Sequence, residues 1–600
     1  MVKTPRRLLW NEPSVIAVCA LALLVTAAII RWQQVLRQGL FDLGTVPIFY
    51  RLFLFQDHLG AFLFALVLLL ALVPGVQRTA TAIAQRLGSH PTPVATVACL
   101  CLAAGSFWVY QAQPLAMDES APYMQAQVFA SGALLGQLPP DLLDWLVYPP
   151  FQNYFIHVSH QTGQVASAYW PGFALLLTPF MALGIPWLCN PALGGLAVWT
   201  IHRLTLQLTE STEAAGASVL FTLASAAFVV NSISFYSMTA HLLCNAVFAL
   251  LLLRPTVPRA AGAGLIGGLA LTLHNPVPHM LFAVPWLIWL AFQPDRRRLI
   301  PAIAAGYLPW VMIVGFGWHH LLQGLGEGTT SAAAANGGNP FAVAISSLAG
   351  VFKVPGATQL TDRLIGLAKL WLWAAPLLLL AACVGFWRFR RDTHFRLLLA
   401  SAVLTFVGYL FVPLSQGHGW GFRYVHSAWF VLPILAASVV TGPSRKVAGN
   451  ARPAPGPLGR YALAAALGGL LVMTPFFLWQ VHSFIQEHLA QLPAAGHGRP
   501  RIVIISPSMG YYAQDLVQND PFLRAPIIRM STQGRRNDAA MMARYFPDQV
   551  LLCKSFRGTV WGHAYDANDE SARAGGSNRS HPEERHQAGA GRVDETSRCD

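Results

Sequence analysis

Apolar residues in this chain come in blocks, not at alternate positions. Many of the blocks are about 17 to 22 residues long, close to the roughly 20 residues a helix needs to cross the hydrocarbon core of a bilayer. Inside lipid a backbone must satisfy its own hydrogen bonds within the segment, so such blocks read as helices. The pattern predicts spans near 14–31, 58–76, 91–109, 188–206, 216–232, 237–253, 260–275, 277–293, 300–319, 366–387, 397–414, 427–442 and 461–480. The first block opens near Ser14 and runs past Ile30 with no convincing small-residue cleavage site behind it, which reads as a retained signal anchor. One apolar stretch, Gly172–Leu183, is about 12 residues long and too short to cross; it reads as re-entrant or interfacial.

Composition agrees with this picture. The chain has 600 residues, 54% hydrophobic and 11% charged, against about 25% charged in an ordinary soluble domain. A formal charge of +14 would suit nucleic acid, but the cations lie in short loops between apolar blocks, where they set membrane orientation instead. With the N-terminus inside, one face receives Lys3, Arg6, Arg7, Arg78, Arg86, Arg203, Arg254, Arg259, Arg296–Arg298, Arg388, Arg390, Arg391, Arg396, Arg445, Lys446, Arg452 and Arg460. The stretch 111–187 contains no Lys or Arg and falls on the opposite, outer face. Six of the eight cysteines, Cys19, Cys99, Cys101, Cys189, Cys244 and Cys383, lie in or beside apolar segments and read as small core residues.

The expected fold is therefore an all-α polytopic membrane protein of about thirteen helices with a small C-terminal α/β appendage. Residues 1–90 form an N-terminal transmembrane pair, and 91–480 form a transmembrane region carrying the outer loop 111–187. Residues 481–563 form the appendage, with a strand at Arg501–Ser506, a short helix at Asn537–Tyr545 and a second strand at Gln549–Cys553. Residues 564–600, rich in Gly, Ser, Arg and Glu, read as disordered. The expected location is a bacterial inner membrane, multi-pass, with a cytoplasmic N-terminus and a periplasmic C-terminus.

Several polar residues sit where the membrane meets water. Asp118 and Glu119 follow the third span; a carboxylate there is costly unless wetted, paired or bound to a cation. They suit a general base or a divalent-metal site, and from spacing alone they also suit a solvated loop acid or helix cap. Asp141 and Asp144 lie three apart, on one side of a helical turn. His157 and His160 have metal-ligand spacing if helical, whereas the turn around Gly163 points to a hairpin. His241 stands near the outer end of a span, as a site residue or a packing histidine, and His274 and His279 flank Asn275-Pro276 at another. Gly417-His418-Gly419-Trp420-Gly421-Phe422-Arg423-Tyr424 places one basic residue, Arg423, in an outer loop. Its guanidinium suits a lipid phosphate, and its aromatic neighbours suit an interfacial anchor. No Walker or Rossmann glycine motif is evident, so no nucleotide cofactor is expected.

The ordered series of motifs resembles the GT-C superfamily of membrane glycosyltransferases, in particular bacterial members of the protein O-mannosyltransferase and aminoarabinose-transferase group. Asp118–Glu119 opens the first large outer loop. The stretch Gly163–Gly172, with Tyr169-Trp170-Pro171-Gly172, is similar to a Gly…Tyr-Pro-Pro-Gly pattern with Trp170 in place of the first Pro. Asn190-Pro191-Ala192-Leu193-Gly194-Gly195 leads a span ending in His202-Arg203-Leu204, and Ser237–His241 looks like a Met-Ser-His segment. The likeness covers roughly residues 91–440. It implies transfer of a sugar from a polyprenyl-phosphate-linked donor to a glycan, lipid or protein acceptor at the periplasmic face. Asp118 would be the base, Glu119 its support or a metal ligand, and Arg423 the partner of the donor phosphate, with Tyr169, His241 and His418 nearby in the substrate site. The alternatives are a transporter or flippase of lipid-linked glycans, and a non-catalytic membrane assembly protein.

Overall fold

The computed structural model describes residues 12–39, 48–325, 350–413, 419–440, 455–490, 492, 502–505, 513–547, 559–560 and 563–564. The expected strand 549–553, the tail beyond 564, His418 and the stretch 326–349 lie outside the described residues.

Four helices come first: α1 (Glu12–Gly39), α2 (Ile48–Leu70), α3 (Pro74–Ser89) and α4 (Pro91–Trp108). Proline in the first turn of α3 and α4 starts each helix where its missing N–H is not needed. The outer loop follows with α5 (Met117–Ala130) and a small antiparallel sheet. Its strands are β1 (Gly136–Gln137), β2 (Ile156–Val158) and β3 (Gln164–Ser167), in the order β1-β3-β2. A short helix, α6 (Gly172–Ala182), returns the chain to the bundle. Next come α7 (Cys189–Thr209), α8 (Thr212–Leu223), α9 (Ala226–Ile233), α10 (Met238–Leu252), α11 (Val257–Thr272), α12 (Val277–Phe292) and α13 (Arg297–Gln323). The bundle closes with α14 (Ala357–Trp373), α15 (Leu378–Phe389), α16 (Thr393–Leu410), α17 (Val431–Ala437) and α18 (Pro457–Leu489). One contiguous apolar core runs from Val15 in α1 to Ile485 in α18.

Each predicted span overlaps helix over its described residues, but 58–76 starts ten residues late on α2 (Ile48–Leu70) and crosses the turn at 71–73, and the spans are not thirteen straight rods. Among the described residues six helices are long and apolar enough to cross a membrane, and eight if two bent pairs each count once. The stretch 216–232 breaks by 66° between α8 and α9, and 366–387 breaks by 92° between α14 and α15. The second break has a local cause: Pro376 cannot donate to the ladder, and Leu377 adopts a left-handed conformation (φ 67°). The stretch 427–442 divides into His426–Trp429 and α17. Where helices cross closely, glycine is required: a Cβ on Gly216 of α8 would fall 1.8 Å from the carbonyl of Ala84 in α3.

The C-terminal appendage holds β4 (Ile502–Ile505), which pairs in parallel with β5 (Ile528–Ser531), and α19 (Arg535–Tyr545). Sequence reading found β4 and α19 but missed β5, whose four residues, Ile528-Arg529-Met530-Ser531, alternate apolar and polar over too short a run to stand out beside Pro526. It also ended the last span near 480, whereas α18 runs on to Leu489. The appendage packs onto the outer loop: Ile502, Ile528, Met530 and Met541 share a core with Met117, Leu143, Leu146 and Val165.

Candidate functional site

Four separate stretches of chain meet at the N-terminus of α5. The N-cap of this helix, Ala116, has no acceptor side chain, so Glu119 in the first turn reaches back and does the tethering. Its Oε2 accepts from the N–H groups of Leu115 (2.9 Å) and Ala116 (3.1 Å). Its Oε1 accepts from the Phe235 N–H (2.8 Å) and the Tyr110 hydroxyl (2.8 Å). Four donors fill the lone-pair sites of one buried carboxylate. Burial raises its pKa to about 7, against the opposite pull of those donors. Trp420 Nε1 donates to the Tyr110 hydroxyl (3.0 Å), which ties the 419–425 loop into the same network.

Asp118 leaves the helix on another side. Its Oδ2 meets Nη1 of Arg423 at 2.6 Å, and its Oδ1 accepts from the Tyr169 hydroxyl. The Asp118 side chain keeps 20% of its surface open and that of Arg423 7%, so Asp118 is the more accessible partner. Burial alone would raise the Asp118 pKa, but the Arg423 charge, with His274 and the Tyr169 hydrogen bond, brings it down to about 2. The reverse holds across the pair: burial works against the Arg423 charge, yet Asp118 holds its pKa well above the usual value. The positive end of the α5 dipole also favours a carboxylate in this turn.

Each partner is held from behind. Gly421 takes φ +63°, a conformation that suits glycine, and turns the loop into the short helix Arg423–Val425. The guanidinium then lies 4.9 Å from the Tyr236 ring and 5.5 Å from the Tyr424 ring. Tyr236 belongs to a turn whose carbonyls, Ser234 and Tyr236, accept from Asn190 Nδ2 at 2.6 and 2.7 Å. Tyr169 stacks on the His274 ring, with centroids 4.0 Å apart, and Trp170 N–H donates to the His274 carbonyl (3.3 Å). A Cβ on Gly172 would fall 2.6 Å from the Thr272 carbonyl, so only glycine lets α6 dock this close to α11.

Of the residues singled out in sequence, Asp118 thus touches both Tyr169 and Arg423, and Glu119 supports the helix turn from the side. The others lie elsewhere. His241 is buried in α10, within electrostatic reach of His274 and His279, and neither of its ring nitrogens has a hydrogen-bond partner among the described residues. His279 is bonded to Asn245 (2.6 Å) and Tyr307 (2.6 Å), a packing role. His157 and His160 stand on and after β2 of the hairpin rather than on a helix face, and do not converge. His157 pairs with Asn153 (3.4 Å) and His160 with Gln152 (2.9 Å). Burial lowers the His157 pKa. Asp141 and Asp144 face the appendage, where Tyr545 donates to Asp141 (2.7 Å) and Gln533 Nε2 to the Asp144 carbonyl (2.6 Å).

Both oxygens of Asp118 and both of Glu119 already face protein donors, and no cluster of three His, Cys, Asp or Glu able to hold a metal occurs among the described residues. What the arrangement offers is a carboxylate beside a guanidinium and a phenol: an acceptor for a proton and a fork for an anion, a few ångströms apart.

No family model and no curated protein matches the chain. Among solved structures it is similar to two crystal structures of ArnT from Cupriavidus metallidurans. The one bound to undecaprenyl phosphate is 13% identical, with 76% of this chain and 88% of that chain covered and a TM-score of 0.44. The one in the apo state is 14% identical over the same shares, with a TM-score of 0.42.

Proposed function

We propose that this chain is a membrane glycosyltransferase that moves a sugar from a polyprenyl-phosphate-linked donor to an acceptor hydroxyl or amine at the outer face of the inner membrane. The observation that carries this reading is the Asp118–Arg423 pair, 2.6 Å apart and backed by Tyr169, beside a bundle with at least six helices of spanning length. A donor of this class keeps its lipid in the bilayer and its phosphosugar at the surface. The site therefore needs a cation and a base at that depth and no nucleotide fold.

Asp118 is a weak base while Arg423 holds it at a pKa of about 2. A phosphate diester arriving at Arg423 competes for the guanidinium, whose fork matches phosphate as well as carboxylate. Asp118 then regains basicity when its acceptor is in place. The acceptor's O–H or N–H proton passes to Asp118, the acceptor atom bonds to the anomeric carbon, and the bond from that carbon to the phosphate oxygen breaks. The polyprenyl phosphate leaves with its charge neutralised by Arg423. Tyr169 orients Asp118, and Glu119 fixes the helix turn that carries it.

Replacing Asp118 by Asn in membranes supplied with lipid-linked sugar is expected to lower transfer about 100-fold or more, the usual scale for losing a general base. Arg423→Lys, which loses the fork, is expected to raise the KM for donor more than it lowers kcat. Unchanged turnover in Asp118→Asn would remove Asp118 from this role. Loss of glycan translocation with transfer intact would point to a flippase.

A further inference from the structure

The N-cap residue of α5 has no acceptor side chain; Glu119 reaches back to the Leu115 and Ala116 N–H groups, and the acceptor for the next N–H comes from the C-terminal appendage. Ala116 offers no side-chain acceptor, and the N–H groups of Glu119 and Ser120 turn back to the Ala116 carbonyl (2.9 and 2.8 Å). The Met117 N–H donates instead to the carboxyl of Asp515. Asp515 is 4% exposed and sits in a single 3-10 turn, Ala513–Leu516, of the appendage. Three residues on, Gln518 Nε2 donates both to the Pro114 carbonyl (3.1 Å) and to the Asp515 carbonyl (2.7 Å), so the turn grips the approach to α5 at two points. The turn is itself rigidly seated: Ala513, Leu516 and Val517 pack with Val503 and Ile505 of β4 and with Leu489 at the end of α18.

We propose that Asp515 is a positioning residue for Asp118: the C-terminal appendage supplies the cap of α5 and thereby fixes the direction in which Asp118 leaves the helix toward Arg423. Met117 and Asp118 are adjacent, so a shift of the Met117 N–H moves Asp118 directly. Burial, and after it the charge of Asp118, push the Asp515 carboxyl well above its usual range, with the Met117 N–H pulling the other way. The Met117 N–H needs only one oxygen of the Asp515 side chain, so a neutral side chain that keeps a carbonyl there can take the same bond. Asparagine offers a carbonyl at the same place and nearly the same volume, so Asp515→Asn preserves the cap, whereas Asp515→Ala and the branched but bulkier Asp515→Leu remove it.

Hydrogen exchange on the full-length protein in detergent, read by mass spectrometry over residues 115–121, tests the cap without reference to activity. Exchange there is expected to rise about tenfold in Asp515→Ala and Asp515→Leu and to stay near the parent value in Asp515→Asn. Parent-like exchange in the Ala and Leu variants would overturn the proposal, as would an Asn variant that exchanges as fast as they do. The kinetic arm rests on the proposed transferase. There the Leu variant is expected to lose about tenfold in kcat with the KM for donor unchanged, and the Asn variant to retain its rate. A parent chain that transfers no sugar while the exchange pattern holds would count against the transferase alone.

Discussion

Consecutive residues of a helix point about 100° apart, and Asp118 and Glu119 use that angle to separate two tasks. Asp118 faces Arg423 and Tyr169, while Glu119 faces inward to Tyr110 and Phe235. Their pH behaviour differs in sign. The folded pKa of Asp118 lies below the ordinary carboxylate range, so its contribution to stability is full above that range and is lost as pH falls toward 2. The folded pKa of Glu119 lies above that range, so its contribution is full below it and is lost as pH rises through about 7. Melting temperature is therefore expected to decline from pH 6 to pH 8 in the parent chain and to lose that slope in Glu119→Gln. The Glu119→Gln variant would also melt lower throughout, because an amide N–H₂ cannot accept from the donors that ring the site. An equal slope in parent and variant would remove Glu119 as its source. The acidic pair and Arg423 were legible in sequence because charge is scarce in this chain and each breaks a long uncharged stretch. The division of labour was not: the spacing of neighbours says nothing about which of them meets the Phe235 amide, 116 residues away.

At the scale of elements, the sequence pattern placed helices well and their continuity poorly. A run of apolar residues reads the same whether the helix is one rod or two, so the 92° break at 374–377 left only Pro376 as a trace. The helix before the break, α14, carries a buried cation. Lys369 of α14 meets Asp57 of α2 at 3.1 Å, with both side chains fully buried. Trp373 Nε1 (3.1 Å) and Gln480 Nε2 (3.4 Å) donate to the same carboxylate, so α2, α14 and α18 are joined at one charge pair. Breaking such a pair leaves a buried charge without compensation and costs about 3–5 kcal/mol. Lys369→Met alone is expected to lower stability by that order in a detergent unfolding series. The double variant Lys369→Met, Asp57→Leu is expected to recover most of the loss. A double variant no more stable than the single one would mean that the pair is not what couples these helices. Single polar residues inside apolar blocks gave no hint of this, since a pairing between residues 57 and 369 has no local signature.

For the whole molecule, packing makes a statement about sidedness that charge alone made only by inference. The lack of Lys and Arg in 111–187 placed that loop outside, and the basic clusters placed the N-terminus inside. The structure binds three distant regions to one another independently of any membrane rule. The outer loop meets the appendage through Trp145 Nε1 to Asp538 (2.8 Å), Gln137 N–H to the Pro521 carbonyl (2.9 Å) and a shared apolar core. The same loop meets the 419–425 segment through Asp118 and Arg423. Loop, appendage and Arg423 must then lie in one compartment, whichever side that is, and α18 must deliver the chain to the face on which α5 begins. Single cysteines at Thr162 in the hairpin and Arg536 in α19, both exposed, are expected to react with a membrane-impermeant maleimide in intact cells at similar rates. A cysteine at Arg391, an exposed position between α15 and α16 in a basic cluster assigned to the opposite face, is expected to react only after permeabilisation. If the reagent reached Thr162 and not Arg536, the packed core joining loop and appendage could not exist in the membrane, and neither could a cap on α5 supplied from the C-terminal region. If all three positions reacted alike, the partition of cations between the faces would have to be redrawn around a different set of crossings.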